Sequence, residues 1–275
     1  MRLSGQNLAL SYESFVVATD LTIEIPDGQI TVLIGPNGCG KSTTLRALSR
    51  LLKPKQGQVV LDGKDIHSYS TKEVARRLAL LPQVLLTPEA ITVRELVAYG
   101  RHPQRRSVAA LRDEDREAID WAMHATGMYD LRERPVDQLS GGQRQRAWIA
   151  LVLAQGTDLI LLDEPTTFLD IAYQLEVLEL LRQLNARDGK TIVMVLHDIN
   201  SACEYAQHLL AMKDGEIVAQ GRPKDVLTRE LVRSVFGIDS HILEHPDTAN
   251  PLCVPIPEPG HTSADDELAP VPAPV

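Results

Sequence analysis

Gln29 to Thr43 reads QITVLIGPNGCGKST, an apolar run of Ile, Val and Leu that breaks into a glycine-rich stretch. The segment that follows, TLRALSRLL, carries Leu45, Leu48 and Leu52 at helical spacing. Each glycine in such a loop costs conformational entropy on folding, so the loop needs a reason to bend sharply or to be approached closely. A bound phosphate is such a reason. Gly35, Gly40, Lys41 and Ser42 match G-x-x-x-x-G-K-[ST]. The stretch Gly35, Pro36, Asn37, Gly38, Cys39, Gly40, Lys41, Ser42 and Thr43 is therefore the candidate phosphate cradle. Its backbone N–H groups and the helix start offer oriented donors, Lys41 brings a positive charge to the terminal phosphates, and Ser42 can ligate Mg²⁺. The helix-end field alone contributes only ~0.3–1 kcal/mol, so tight binding needs the loop, the lysine and the metal together. A chance match of this kind arises in about 1% of chains of this length, and less often still between a strand and a helix.

Two further runs, DLILLDE and TIVMVLH, are continuously apolar and fit parallel strands covered on both faces. Leu175, Leu178, Leu181 and Leu184 predict a helix between them. The order strand, helix, strand points to an α/β core with a parallel sheet. Ahead of it, NLALSY and DLTIEI alternate apolar and polar residues and PDG at 26–28 punctuates them, so the chain begins with half-buried strands. Over 84–158 the pattern turns helical in TVRELVAYG, EDREAIDWAMHATG and GQRQRAWIALVLA, read as an inserted subdomain. LLAMKDGEIVAQG is a hairpin with Asp-Gly at its turn. Residues 258–275, EPGHTSADDELAPVPAPV, carry too few large apolar side chains to offset their ordering entropy, so disorder is expected beyond a folded domain spanning 1–257. No internal repeat is present.

The chain has 275 residues, enough to bury a substantial core, and its 44% hydrophobic and 24% charged residues are ordinary for a globular protein. A net charge of -9 argues against a general nucleic-acid surface. Cys39, Cys203 and Cys253 are odd in number and in no metal-ligand spacing, as expected of reduced thiols. The start MRLSGQNLALSYES lacks a basic flank before an apolar run, so no secretory signal is expected. No apolar stretch approaches the ~18 residues of a membrane helix.

LILLDE ends a buried strand on two carboxylates, at the edge where ligands of parallel sheets bind. There Asp163 would hold Mg²⁺ through water, and Glu164 would orient or deprotonate an attacking water. Alone, the pair reads equally well as the start of a solvated turn; beside the glycine loop the functional reading dominates. LSGGQ at 139–143 precedes a helix and forms a second potential anion nest, which one mononucleotide site does not need, although an isolated SGGQ is more often a capped turn.

Six elements in order, GPNGCGKS at 35–42, Gln83 in LLPQ, LSGGQ at 139–143, LILLDE at 159–164, Asp170 in TFLD and His197 in VLHD, make the chain resemble the ATP-binding cassette (ABC) ATPase family over about residues 1–257. The resemblance implies a P-loop NTPase (RecA-like) core with an N-terminal antiparallel β subdomain and an inserted α-helical subdomain, with ATP and Mg²⁺ as cofactors. It implies that Tyr12, in LSYE, stacks on adenine, although an isolated strand tyrosine is more often just that. It implies that Gln83 senses Mg²⁺ and the attacking water, that His197 bonds the γ-phosphate and supports Glu164, and that Asp170 belongs to the nucleotide-binding set. By the same resemblance, Ser140, Gly141, Gly142 and Gln143 of one cassette close over the nucleotide held by Lys41 of another. With one cassette per chain, that means a head-to-tail homodimer.

The implied partners are integral membrane permease subunits and, indirectly, a substrate-binding protein, with the chain peripheral on the cytoplasmic face of the membrane and no nucleic-acid partner. GPNGCGKST, VAYGRHP at 97–103, PTTFLD at 165–170 and HPDTANPLCVPI at 245–256 are similar to ATPase subunits of ferric-siderophore, haem and cobalamin importers. Ferric siderophore is the expected cargo, which in that class never touches this subunit. A soluble ABC ATPase acting on DNA or ribosomes is the competing reading; it would show coiled-coil insertions, tandem cassettes or basic surfaces. A P-loop kinase or GTPase leaves LSGGQ and His197 unexplained. Phe168 stands where many relatives carry a smaller residue, and Cys39 reads as a small loop filler rather than a redox sensor.

Overall fold

The computed structural model describes residues 1–13, 15–85, 90–105 and 111–257. The expected disordered tail at 258–275 lies outside them, as do short pieces of the 84–158 stretch. The chain runs β1 (Leu3–Tyr12), β2 (Phe15–Ile25), β3 (Ile30–Ile34), α1 (Lys41–Leu48), β4 (Gln56–Leu61), β5 (Lys64–Asp65), α2 (Thr71–Ala75), β6 (Leu78–Leu81), α3 (Val93–Tyr99), α4 (Asp113–Ala125), α5 (Gly141–Ala154), β7 (Leu159–Asp163) and α6 (Ile171–Asp188). It continues with β8 (Thr191–Val195), α7 (Ile199–Tyr205), β9 (His208–Lys213), β10 (Glu216–Gly221), α8 (Pro223–Val226), α9 (Arg229–Phe236), β11 (Asp239–Glu244) and β12 (Pro251–Ile256).

A six-stranded sheet in the order β10-β9-β3-β8-β7-β6 forms the centre. All its neighbours are parallel except β9 and β10, the Asp-Gly hairpin. Every residue of β3, β7 and β8 is buried, which is why those strands read as unbroken apolar runs: helices and a second sheet cover both faces. The second sheet, β2-β1-β4-β5, is antiparallel, and its alternating residues Leu3, Leu8, Leu10, Ile23 and Ile25 pack with Leu45, Leu48, Leu161 and Val195 into one core. Each such fully buried side chain contributes about 1.5–3 kcal/mol. Helices α3, α4 and α5 pack on one another within the other core, against Leu162 and Met194.

Two details depart from the helical spacing. Helix α1 ends at Leu48 and Arg50 takes a positive φ of 68°, so Leu52 lies beyond the helix. Leu175 is exposed, and the buried stripe of α6 begins at Val177. Strands β4 to β6 and the β11–β12 hairpin were not anticipated. Pro251 and Pro255 in β12 argue against a strand; a two-stranded hairpin tolerates them because each strand bonds on one side only. Among the described residues, no helix is long and apolar enough to cross a membrane.

Candidate nucleotide site

Parallel order brings the C-terminal ends of β3, β8, β7 and β6 side by side, and each end delivers polar groups to one place. From β3 the chain turns through Gly35, where an added Cβ would lie 2.2 Å from the Met212 carbonyl oxygen, so no other residue fits. The loop then enters α1 through Gly40, with φ 105° and no side chain capping the helix. Lys41 Nζ donates to the carbonyl oxygens of Gly35 (2.8 Å) and Pro36 (2.9 Å), which holds the ammonium inside the loop. Gly215 N–H, at the β9–β10 turn, braces the loop by donating to the Cys39 carbonyl at 3.1 Å.

From β7 come the two carboxylates. Asp163 is buried and accepts from Ser42 Oγ at 2.8 Å. Burial pushes its carboxyl above the usual range and the Glu164 charge adds to this; the Ser42 hydrogen bond, Arg46 and Lys41 oppose the shift. Glu164 has φ 54°, a left-handed conformation that non-glycine residues seldom adopt and that costs of order 1–3 kcal/mol. The strand thereby turns its carboxylate toward its neighbours. Oε1 accepts from Gln83 Nε2 at 2.9 Å and lies 2.7 Å from His197 Nε2, while Oε2 accepts from Thr167 Oγ1 at 3.1 Å. Gln83, just past β6, has an amide oxygen with no partner among the described residues, and His197, just past β8, is half exposed.

These groups border a cavity of about 530 Å³, within the range of small-molecule sites. Its lining divides by chemistry: Tyr12, Phe15 and Val17 offer two aromatic rings and an aliphatic side chain, Asn37, Gly38 and Gly40 to Thr43 supply the loop, and Gln83, Glu164 and His197 are polar. The hydroxyl of Tyr12 accepts from Arg46 Nη1 at 3.1 Å. Among the described residues there is no cluster of three or more His, Cys, Asp and Glu able to hold a metal alone. The oxygens of Ser42, Asp163 and Gln83 instead form an all-oxygen set that suits Mg²⁺ completed by substrate phosphates and water.

Several expected residues fall elsewhere. Gly35 and Pro36 do not line the cavity, because their carbonyls are engaged by Lys41 beneath it. Cys39 is buried with its Sγ 3.9 Å from Lys41 Nζ, and burial raises its thiol pKa, so it is packing rather than a reactive group. Ser140, Gly141, Gly142 and Gln143 are absent from the lining: Ser140 Oγ accepts from Gln143 N–H at 3.2 Å and Gln143 Oε1 accepts from Ser140 N–H at 3.1 Å, a capping box that starts α5. Asp170 also lies outside and caps α6 by accepting from Tyr173 N–H at 3.1 Å.

Sequence reasoning missed Phe15, Val17, Arg46 and Thr167. Phe15 is the cross-strand partner of Tyr12, and Arg46 lies one turn along α1 from Ser42, so both were within reach of register arguments.

Residues 18–167 match the family model for ABC transporter. The chain is 55% identical over 255 residues to the ferric enterobactin transport ATP-binding protein FepC of Escherichia coli (strain K12), covering 93% of this chain and 94% of that one. It is 50% identical to the iron(3+)-hydroxamate import ATP-binding protein FhuC of Bacillus subtilis (strain 168), covering 92% and 94% respectively. Among solved structures, a dimeric ATP-binding cassette in a post-hydrolysis state, bound to ADP and Pi, superposes with a TM-score of 0.72 at 28% identity, covering 80% of this chain and 98% of that chain.

Proposed function

We propose that this chain, which belongs to the ABC transporter family, is the ATP-hydrolysing subunit that energises import of a ferric siderophore. One observation carries the chemistry: at the mouth of the glycine loop, a single carboxylate, Glu164, is gripped by Gln83, His197 and Thr167. The cavity takes the nucleotide with its base against Tyr12, Phe15 and Val17 and its phosphates along Asn37, Gly38 and Gly40 to Thr43. Lys41, already facing the loop carbonyls, neutralises the terminal phosphates. Mg²⁺, held by Ser42, Asp163 and Gln83, would spread the charge of the phosphates. Glu164 orients a water for attack on the γ-phosphorus and takes its proton as the bond to the bridging oxygen of ADP breaks, while His197 holds the carboxylate and contacts the γ-phosphate.

The location of Ser140 to Gln143 outside the chain's own cavity supports a composite site in which a second copy supplies them. Ser140 uses its oxygen to cap α5 but keeps its hydroxyl proton to donate to a phosphate oxygen. Dimerisation in that sense is driven by the difference in nucleotide contacts between open and closed states. Asp170 acts at this interface through α6 rather than on its own nucleotide. The partners are integral membrane permease subunits, with the dimer peripheral on the cytoplasmic face of the membrane and a substrate-binding protein beyond it. The two named relatives support the cargo class, because their chelators differ while ferric iron is common to their names.

The test is a gentle-detergent pull-down of tagged Glu164→Gln with ATP and Mg²⁺ from native cells. Recovery of a many-spanning permease together with a ferric-siderophore-binding protein is expected. Recovery of only ribosomal or nucleic-acid partners would keep the ATPase chemistry and overturn the transport role.

A further inference from the structure

The ending HPDTANPLCVPI plays no part in the chemistry above, yet it is bonded to the helix that follows His197. Asp198, next to the histidine, caps α7 by accepting from Ser201 N–H at 2.8 Å. Two residues further on, the Asn200 side chain engages both backbone groups of Cys253. Oδ1 accepts from Cys253 N–H at 2.8 Å and Nδ2 donates to the Cys253 carbonyl at 3.2 Å. Cys253 is opposite Ile242 in the β11–β12 register and turns its N–H and C=O outward, so the asparagine amide adds to β12 as a neighbouring strand would. Aspartate at this place would lose the donor, and a longer amide would overshoot. One turn later Glu204 Oε2 accepts from Thr248 Oγ1 (2.8 Å) and Asn250 Nδ2 (3.0 Å), both in the turn that joins β11 to β12. Between them, Cys203 of α7 and Cys253 are buried in the same core.

Asn200 and Glu204 lie on one face of a seven-residue helix, and both are spent on the hairpin. So short a helix has little stability of its own and takes its orientation from what it packs against. His197 is joined to its start. We infer that the β11–β12 hairpin is a clamp that acts through Asn200 on α7 to hold His197 against Glu164, making Asn200 a positioning residue for hydrolysis; this rests on the role proposed above for His197. Loosening the clamp leaves the glycine loop and its Lys41 contacts in place but lets the histidine drift from the carboxylate.

The experiment is a double-mutant cycle on the full-length chain, reading kcat and KM for ATP in wild type, Asn200→Ala, His197→Ala and the double variant. Asn200→Ala is expected to lower kcat about tenfold with KM held within about twofold, and to add nothing in the His197→Ala background. Asn200→Asp, which keeps only the acceptor, should show the same split. An equal loss in both backgrounds, or a lowered Tm with normal kcat, overturns the clamp. Wild-type turnover in His197→Ala would instead overturn the histidine's role, and with it the route proposed here. Should Asn200→Ala fail to fold, Asn250→Ala removes one donor to Glu204 without altering α7 and enters the same cycle.

Discussion

Helices α1 and α5 both begin at a glycine-bearing turn, and their first turns are closed in opposite ways. The first turn of α1 has a left-handed glycine at its cap position, no side-chain cap and no acidic residue, followed by Lys41, Ser42 and Thr43. Its N–H groups are left for an anion from outside, and the surrounding strand ends supply the rest of a site. Helix α5 is closed by its own Ser140–Gln143 box. Such a box satisfies two donors at once, those of Ser140 and Gln143, and stabilises the helix by about 1 kcal/mol, so α5 starts without a ligand while the box leaves the N–H groups of Gly141 and Gly142 unbonded. The difference teaches that one glycine motif is built to bind within its own chain, whereas the other is built to keep its shape and present what remains.

The comparison is tested most severely at Glu164. Glu164→Gln keeps an acceptor for Gln83 but removes the base, and kcat for ATP should fall by about 10²–10⁴ with nucleotide affinity retained. Undiminished steady-state turnover would remove the carboxylate from the mechanism. Next is Lys41→Ala, which deletes the charge that the open turn of α1 carries; nucleotide Kd should rise by about 10- to 100-fold, as for a hydrogen bond to a charged group. Ser140→Arg sharpens the contrast, because it fills the capped turn without touching the cavity. ATP-dependent dimers should disappear from size-exclusion chromatography while ATP binding to the monomer stays within about twofold. Normal dimerisation would rule out the composite site.

The smallest effect is in Asp163→Asn. Asp163 has its pKa raised by burial, so the folded protein holds this proton to higher pH than the unfolded chain, and the native state loses stability as pH rises through that window. The asparagine still accepts from Ser42 and has no charge to desolvate. Its nucleotide-free Tm should therefore exceed that of wild type above about pH 4 and converge with it in stronger acid. The reverse order would mean that the carboxylate is stabilised where it sits.

Much of this site was legible beforehand because its signals are local. Gly35 to Thr43 needs special backbone geometry over nine consecutive residues, and LILLDE ends an apolar run on two acids, so spacing alone exposed them. The contacts of Gln83 and His197 with Glu164 were not legible as geometry, since they come from two other strand ends distant along the chain, whereas Thr167 lies only three residues on. Nor was the β11–β12 clamp, whose prolines argue against strands and whose partner Asn200 is 53 residues away.

The amino-acid sequence by itself determined the class of fold and the phosphate-binding loop, because hydrophobic period and glycine placement act over a few neighbouring residues. The tertiary structure alone decided which strand ends stand together, that Gln83 and His197 meet Glu164, and that the last hairpin reaches back to α7. Those outcomes depend on strand order and on long-range hydrogen bonds, which join residues that spacing along the chain does not relate.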